Sequence, residues 1–329
     1  MEVFQLSLGR SEDLDIAAMN FRSADVSEGR DIFSRIDTEG GTKQAGKCVI
    51  CHANAGANTD AAGFGSIVSR FGLSPHFVGN QIFNTGLTTL PVRANETLPG
   101  SAPRDSGFGR HSLNPGDCLI GDFVLGPTGP QFVPGDQSTA PGGFGTRGAT
   151  PFVPPNLCIE AFNVPPLVEA ADTAPFFHDN SFDTLEEAVE FYSGPEFNND
   201  SLIKLFVVFT DSGLKGIDLT QESSGKVAKF LRVINSLENL RSAKEMVSAA
   251  RSTNRSNSDQ LLSQAALELD DGKLVLSQVN LHPLAALKIA GARAHTVLAK
   301  SLWGQGLLWQ HHVNKSLEMI DEARSLMIQ

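Results

Sequence analysis

No stretch of eighteen apolar residues occurs in this chain. The nearest candidate, Leu202 to Phe209, stops before Asp211 and is too short to cross a bilayer as a helix. Basic residues are also scarce: 26 Lys and Arg stand against 37 Asp and Glu, for a net charge of -11 and a pI near 5.2. That balance argues against nucleic acid or an anionic lipid surface as partner and favours a basic protein. The opening "MEVFQLSLGRSEDLDI" carries acidic residues where a secretory leader needs a basic region followed by an apolar core. There is no low-complexity tract and no evident repeat, and cysteine is limited to four residues. What remains is a 329-residue chain, 41% apolar, long enough to bury a sizeable core.

Two of the four cysteines sit in "GKCVICHANAG", Gly46 to Gly56. Two cysteines separated by two residues and followed at once by histidine form the c-type haem attachment signature. In it Cys48 and Cys51 make thioethers to the porphyrin and His52 coordinates the iron. Covalent haem attachment of this kind places the chain in a bacterial periplasm, and the missing leader then implies a processed chain or a fragment. The other two cysteines, Cys118 and Cys158, lie singly in loop-like contexts that an oxidising compartment is expected to join. Such a bridge, closing about forty residues, stabilises by roughly 4 kcal/mol in the chain-entropy model.

The pattern along the chain predicts a mainly α protein. "SEGRDIFSRI", Ser27 to Ile36, reads as a helix leading into the haem motif, with Ile32, Phe33 and Ile36 on one face. From Gly63 to Pro166 the chain turns to Gly, Pro, Phe, Asn and Thr with little period, which predicts an ordered wrap with few helices, held by the Cys118 to Cys158 bridge. "SFDTLEEAVEFYSG" then gives a short helix: Thr184 and Glu187 form a capping box, Gly194 follows the end, and Leu185, Ala188, Val189 and Tyr192 share a face. A long amphipathic helix is expected from near Thr220 to about Ala250. Beyond the polar break "RSTNRSNSD" come further helices, one carrying Leu284, Leu287, Ala294, Leu298 and Leu302, and a last one carrying Trp309, Val313, Leu317 and Ile320 after a break at Gly304 and Gly306. The expected organisation is a cytochrome domain at 1–250 with a helical extension at 251–329, helix 27–36 crossing helix 220–250.

Taken together, "EGRDIF", "GKCVICHANAGA", "IFNTGL", "FNVPPLVEAADTAPFFHDNSFDTLEEAVEFYSG" and "VAKFLRVINSLENL" resemble the C-terminal haem domain of the bacterial di-haem cytochrome c peroxidases, including their MauG-like branch. The resemblance spans about residues 4 to 245. In that family a preceding domain binds peroxide at a first haem, and the second haem stores or relays an electron. This chain has one attachment motif, so the resemblance implies an electron-relay half whose peroxide-binding half lies outside it, in a precursor or another subunit. The expected partners are that second haem domain or a redox protein, with hydrogen peroxide as oxidant of the complete oxidoreductase. The alternative is a monohaem electron-transfer subunit that docks a redox partner through its helical tail.

The resemblance also bears on the ligand opposite His52. Eight residues after the threonine of the "TLEEAV" block the peroxidases carry a methionine that ligates the second haem, and the MauG-like branch carries a tyrosine. Here that position is Tyr192, the one tyrosine in the chain beside 21 phenylalanines. An anionic oxygen ligand favours ferric iron and lowers the potential relative to a thioether. The competing reading is a core tyrosine whose hydroxyl bonds to backbone or a propionate. His178, in "APFFHDN", competes as sixth ligand or supports the loop between haems, and positions matching Thr173 and Pro175 supply backbone oxygens to a calcium ion in the peroxidases. One departure stands out: the family often has arginine and asparagine after its "vPsL" motif, where this chain reads Val164-Pro165-Pro166-Leu167-Val168-Glu169. His295, His311 and His312 come close in the tail by spacing alone and carry no acidic partner motif, so no role is assigned to them.

Overall fold

A computed structural model describes residues 15–56, 82–84, 121–126, 129–134, 161–177, 180–199, 207–208 and 211–329. Most of these are helical, as expected, and the described residues group into two compact units. One takes its residues from Met1–Arg30, Leu167–Ala174 and Gly225–Gln329, the other from Asp31–Pro166 and Pro175–Ser224. The division falls at 30–31, 166–167, 174–175 and 224–225, the last inside the long helix.

Helix α1, Ala24–Ser34, starts three residues earlier and ends two earlier than the apolar spacing of Ser27 to Ile36 suggests. The pattern missed Val26, which is fully buried with Ile32 and Phe33, while Ile36 is 45% exposed and outside the helix. The four short strands come from the stretch expected to be a loop wrap, and no helix occurs among its described residues before Pro166. β1, Ile82–Asn84, and β4, Ala161–Asn163, pair antiparallel with Ile82 opposite Asn163. β2, Gly121–Gly126, and β3, Gly129–Pro134, form a hairpin with Gly126 opposite Gly129. Cys118, Cys158 and their expected bridge lie outside the described residues.

Helix α2, Leu185–Phe191, is set by the anticipated capping box: Glu187 N donates to Thr184 Oγ1 at 3.2 Å, and Thr184 N donates to Glu187 Oε2 at 3.0 Å. It buries Leu185, Ala188, Val189 and Phe191, and Tyr192 is its C-cap. Gly194 then caps the next short helix, α3, Pro195–Asn198.

Helix α4, Gln221–Ala249, matches the expected span but not the expected amphipathic character. Every residue from Leu231 to Leu240 is buried, including Arg232, Asn235, Glu238 and Asn239. Buried polar groups of this kind need partners. Asn235 donates to Asp172 at 3.0 Å and to Asn239 Oδ1 at 2.7 Å, and it accepts from Ala171 N at 2.8 Å. Arg241 grips both carboxylate oxygens of Glu238 at 2.5 and 3.0 Å.

In the first unit the start of α1 crosses α4 closely, because Gly29 offers no side chain at the crossing: a Cβ there would stand 2.0 Å from Lys226 O. Phe21 meets Phe230 edge to face at 5.7 Å, and Asp25 pairs with Lys229 at 2.5 Å beside the crossing.

Three more helices complete this unit. α5, Arg255–Ser277, begins inside the polar break, because Asn254 there is its N-cap and accepts from Asn257 N at 3.0 Å. α6 is Pro283–Ser301, with proline in its first turn, and α7 is Leu307–Ser325. Arg293–Asp270 and Lys288–Glu322 pairs, each 2.6 Å, tie α6 to its neighbours on both sides. The buried face of α6 is Ala285, Ala286, Ile289, Ala292, Thr296 and Ala299. Of the apolar stripe read from the sequence, Leu284, Leu287 and Leu298 face solvent, 64%, 67% and 44% exposed. Both faces of α6 satisfy helical spacing; the alanine face wins because small side chains let it approach two helices at once.

Candidate functional site

The attachment motif follows α1 through a loop pinned at several points. Gly46 N donates to Ile32 O at 2.8 Å and Lys47 N donates to Arg35 O at 3.0 Å, which folds the loop back on the last turn of α1. Lys47 adopts a left-handed φ of 55°, and its side chain is fully buried. There Nζ pairs with Asp211 Oδ2 at 2.8 Å and donates to the carbonyls of Val207 and Lys215 at 2.8 and 2.6 Å. Asp211 is satisfied in turn by Thr38 Oγ1 at 2.7 Å, Thr38 N at 3.0 Å and Gly213 N at 2.6 Å. Burial holds Lys47 below its usual range against the pull of Asp211, while at Asp211 the opposing effect of burial is outweighed by Lys47, Thr38 and Gly213, which carry it down to about 2.

Cys48–Ile50 then form one 3-10 turn, and His52 N donates to Cys48 O at 2.8 Å. Asn54 and Ala55 follow with φ of 52° and 56°. For a buried alanine this left-handed conformation costs on the order of 1–3 kcal/mol, strain of a kind that gathers at functional sites. Cys48 and Cys51 are free thiols, and burial pushes both up to about 12. A thiol-exchange site typically lowers its thiols instead.

The imidazole of His52 is buried, and burial lowers it to about 4, so it is neutral at pH 7. Its Nδ1 lies 3.0 Å from Pro165 O and 3.3 Å from Gly56 O. A carbonyl only accepts, so Nδ1 carries the proton and Nε2 keeps its lone pair. That is the tautomer and orientation of a metal-ligating histidine fixed by an outer hydrogen bond. The carbonyl comes from the segment Val164-Pro165-Pro166-Leu167.

Tyr192 is half-buried at the end of α2 among aromatic rings: Phe197 at 4.8 Å, Phe191 at 5.6 Å and Phe177 at 6.0 Å. Burial raises its phenol above the ordinary value, and Cys48 and Cys51 add to the rise. Tyr192 therefore lies within electrostatic reach of the two cysteines, in the same compact unit as His52 although far from it in sequence.

The remaining predicted positions are less informative. His178 lies outside the described residues. Thr173 and Pro175 are exposed, and the Thr173 hydroxyl donates to Ala170 O at 2.8 Å. Among the described residues no three or more His, Cys, Asp or Glu side chains are grouped to hold a metal ion, and no described helix is long and apolar enough to cross a membrane. Sequence reading missed Lys47, Asp211 and the carbonyl of Pro165. The one available signal was Asp211, the charge that ends an apolar run.

The residues present suit a c-type haem: two protonated thiols at the required spacing, a neutral imidazole whose Nδ1–H is committed to a backbone carbonyl, and a phenol within a phenylalanine cluster of the same unit. No family model matches the chain, and neither the curated proteins nor the solved structures contain a match.

Proposed function

We propose that Cys48 and Cys51 hold one haem c covalently, that His52 Nε2 and Tyr192 Oη are its axial ligands, and that the chain is the electron-relay part of a di-haem peroxidase or MauG-like oxidoreductase of the periplasm. The observation that carries this reading is the buried His52, whose Nδ1–H is committed to Pro165 O beside two protonated cysteines. When bound, the haem supplies a one-electron redox centre. The chain's own residues set its character. Pro165 O fixes the ring of His52 and raises its basicity as a ligand. The phenol of Tyr192, raised by burial, keeps its proton unless a cation stands against its oxygen. Ligation by the anion favours ferric iron and a low potential, as a site that holds an oxidising equivalent requires. The Phe177, Phe182, Phe191 and Phe197 rings give the site an apolar wall.

The test is expression in a periplasm with the haem attachment machinery, followed by a denaturing gel stained for haem and a pyridine haemochrome spectrum. One covalent haem per chain, lost in Cys48→Ser/Cys51→Ser, is the expected result; a chain without haem overturns the reading. A second reading, a monohaem electron-transfer subunit docking a redox partner through its tail, draws on the solvent-facing Leu284, Leu287 and Leu298. Donor-dependent peroxide turnover with the complementary haem domain present separates the two.

A further inference from the structure

Away from Cys48, Cys51 and His52, three histidines come together on the α6–α7 hairpin. His295 Nδ1 stands 2.8 Å from His312 Nδ1, with ring centroids 5.0 Å apart and planes inclined by 35°. His311 adds a third ring, 5.2 Å from His312 and 6.3 Å from His295. Their spacing is locked from below: Thr296 Oγ1 and Ser316 Oγ, both fully buried, are 2.7 Å apart between the same two helices.

Without an ion, an N–H of one ring donated to the other accounts for the 2.8 Å contact. The same distance is the bite of a metal with right-angled coordination. Two nitrogens each about 2.0 Å from an ion and at 90° stand about 2.8 Å apart, whereas the tetrahedral angle sets them about 3.3 Å apart.

We propose that His295 and His312 form an interhelical two-imidazole site for a tetragonal divalent ion, Cu(II) or Ni(II), with His311 beside a third position. Imidazole suits both ions, and right-angled nitrogen and oxygen coordination is their preferred geometry. Burial, then His312, His311 and Lys315, hold His295 below its usual range. Of the facing charged groups, Lys315 is paired with Glu318 at 2.8 Å, which limits its repulsion of a cation. His295 and His312 are half-buried and His311 is exposed, so an ion reaches the pair from solvent. With fewer than three described protein ligands grouped there, the ion keeps water in its remaining positions. The site lies wholly within the helical unit and does not depend on the haem reading.

The test is calorimetric titration of the full chain with CuCl2 and NiCl2, with a melting curve at each step and reversal by EDTA. The expected result is one strong site that raises the melting temperature. His295→Gln or His312→Gln should weaken it on the order of 10²-fold, because each removes the intramolecular second ligand. His282→Gln, which changes a histidine outside the cluster, should leave it intact. The electron-spin spectrum of the Cu(II) form of the parent protein gives a readout independent of any variant, and is expected to be axial with coupling to at least two nitrogens. Absence of binding, unchanged affinity in both variants, or a spectrum without nitrogen coupling overturns the proposal.

Discussion

Lys47 Nζ and Asp211 Oδ2 are 2.8 Å apart with both side chains fully buried, and the lysine is the residue immediately before Cys48. The pair joins the attachment loop to the segment around 207–215, and its spare donors and acceptors are all taken by backbone or Thr38. Removing one partner leaves the other charge buried alone. Lys47→Met or Asp211→Asn is therefore expected to destabilise by about 3–5 kcal/mol, and the double substitution by less than the sum. Urea unfolding of the four proteins checks this; additive losses would mean that the two side chains do not act as a pair.

Gly29 is the point of closest approach between α1 and α4. Alanine there places a methyl 2.0 Å from Lys226 O, and backbone cannot yield as a flexible side chain does. Gly29→Ala is expected to cost about 1–3 kcal/mol despite its better helix propensity. An unchanged or raised denaturation midpoint would show that the crossing is looser than described.

The capping box of α2 positions Tyr192 at the far end of the same helix. Thr184→Ala removes the acceptor for Glu187 N and should destabilise by about 1 kcal/mol. Glu187→Gln retains an acceptor for Thr184 N and should cost less. Thermal unfolding of both variants reads the difference, and equal losses would indicate that the carboxylate charge matters more than the hydrogen bonds.

Tyr192→Phe keeps the ring in its aromatic cluster and removes only the oxygen. With Tyr192 as axial ligand, the ferric absorption and electron-spin spectra of the haem-loaded protein should change while circular dichroism stays that of the parent. Identical spectra in parent and variant would remove tyrosinate ligation and leave the attachment by Cys48, Cys51 and His52 untouched.

Glu169 carries a pH dependence of known sign. Burial, then Glu238, Glu268 and Asp172, outweigh Arg241 and raise it from an ordinary 4.5 to about 7. The folded chain thus binds this proton more tightly than the unfolded chain, so stability falls as pH rises from about 4.5 to about 7 and stays lowered above that. Glu169→Gln should match the parent near pH 4.5 and exceed it at pH 8 in denaturant midpoint. A gain confined to acid pH would contradict the assignment.

Local chemistry was legible in the sequence wherever adjacent residues fix it. The Cys48-Cys51-His52 spacing, the Thr184–Glu187 box and the approximate span of α4 each depend on contacts within a few residues, and the chain carries those wherever it folds. The leucine stripe on α6 was a different case. Its sequence has apolar residues on more than one face, and periodicity does not rank faces; the choice fell to neighbours whose small side chains fit Ala285, Ala292 and Ala299. The burial of Arg232 and Glu238 was likewise invisible, because a helix enclosed on every side has no polar face to reveal it.

The Cys48-Cys51-His52 spacing, on which the proposed haem attachment rests, is a property of the sequence alone. Only the tertiary structure supplied what surrounds them: the Pro165 carbonyl that selects the tautomer of His52, the Asp211 carboxylate under Lys47, and a Tyr192 phenol within electrostatic reach of the cysteines. The same holds for His295 and His312, on two helices joined by a short turn. These partners lie 17 to 164 residues apart in sequence. Their meeting depends on how whole helices and loops pack, an energy summed over many contacts that no short motif encodes.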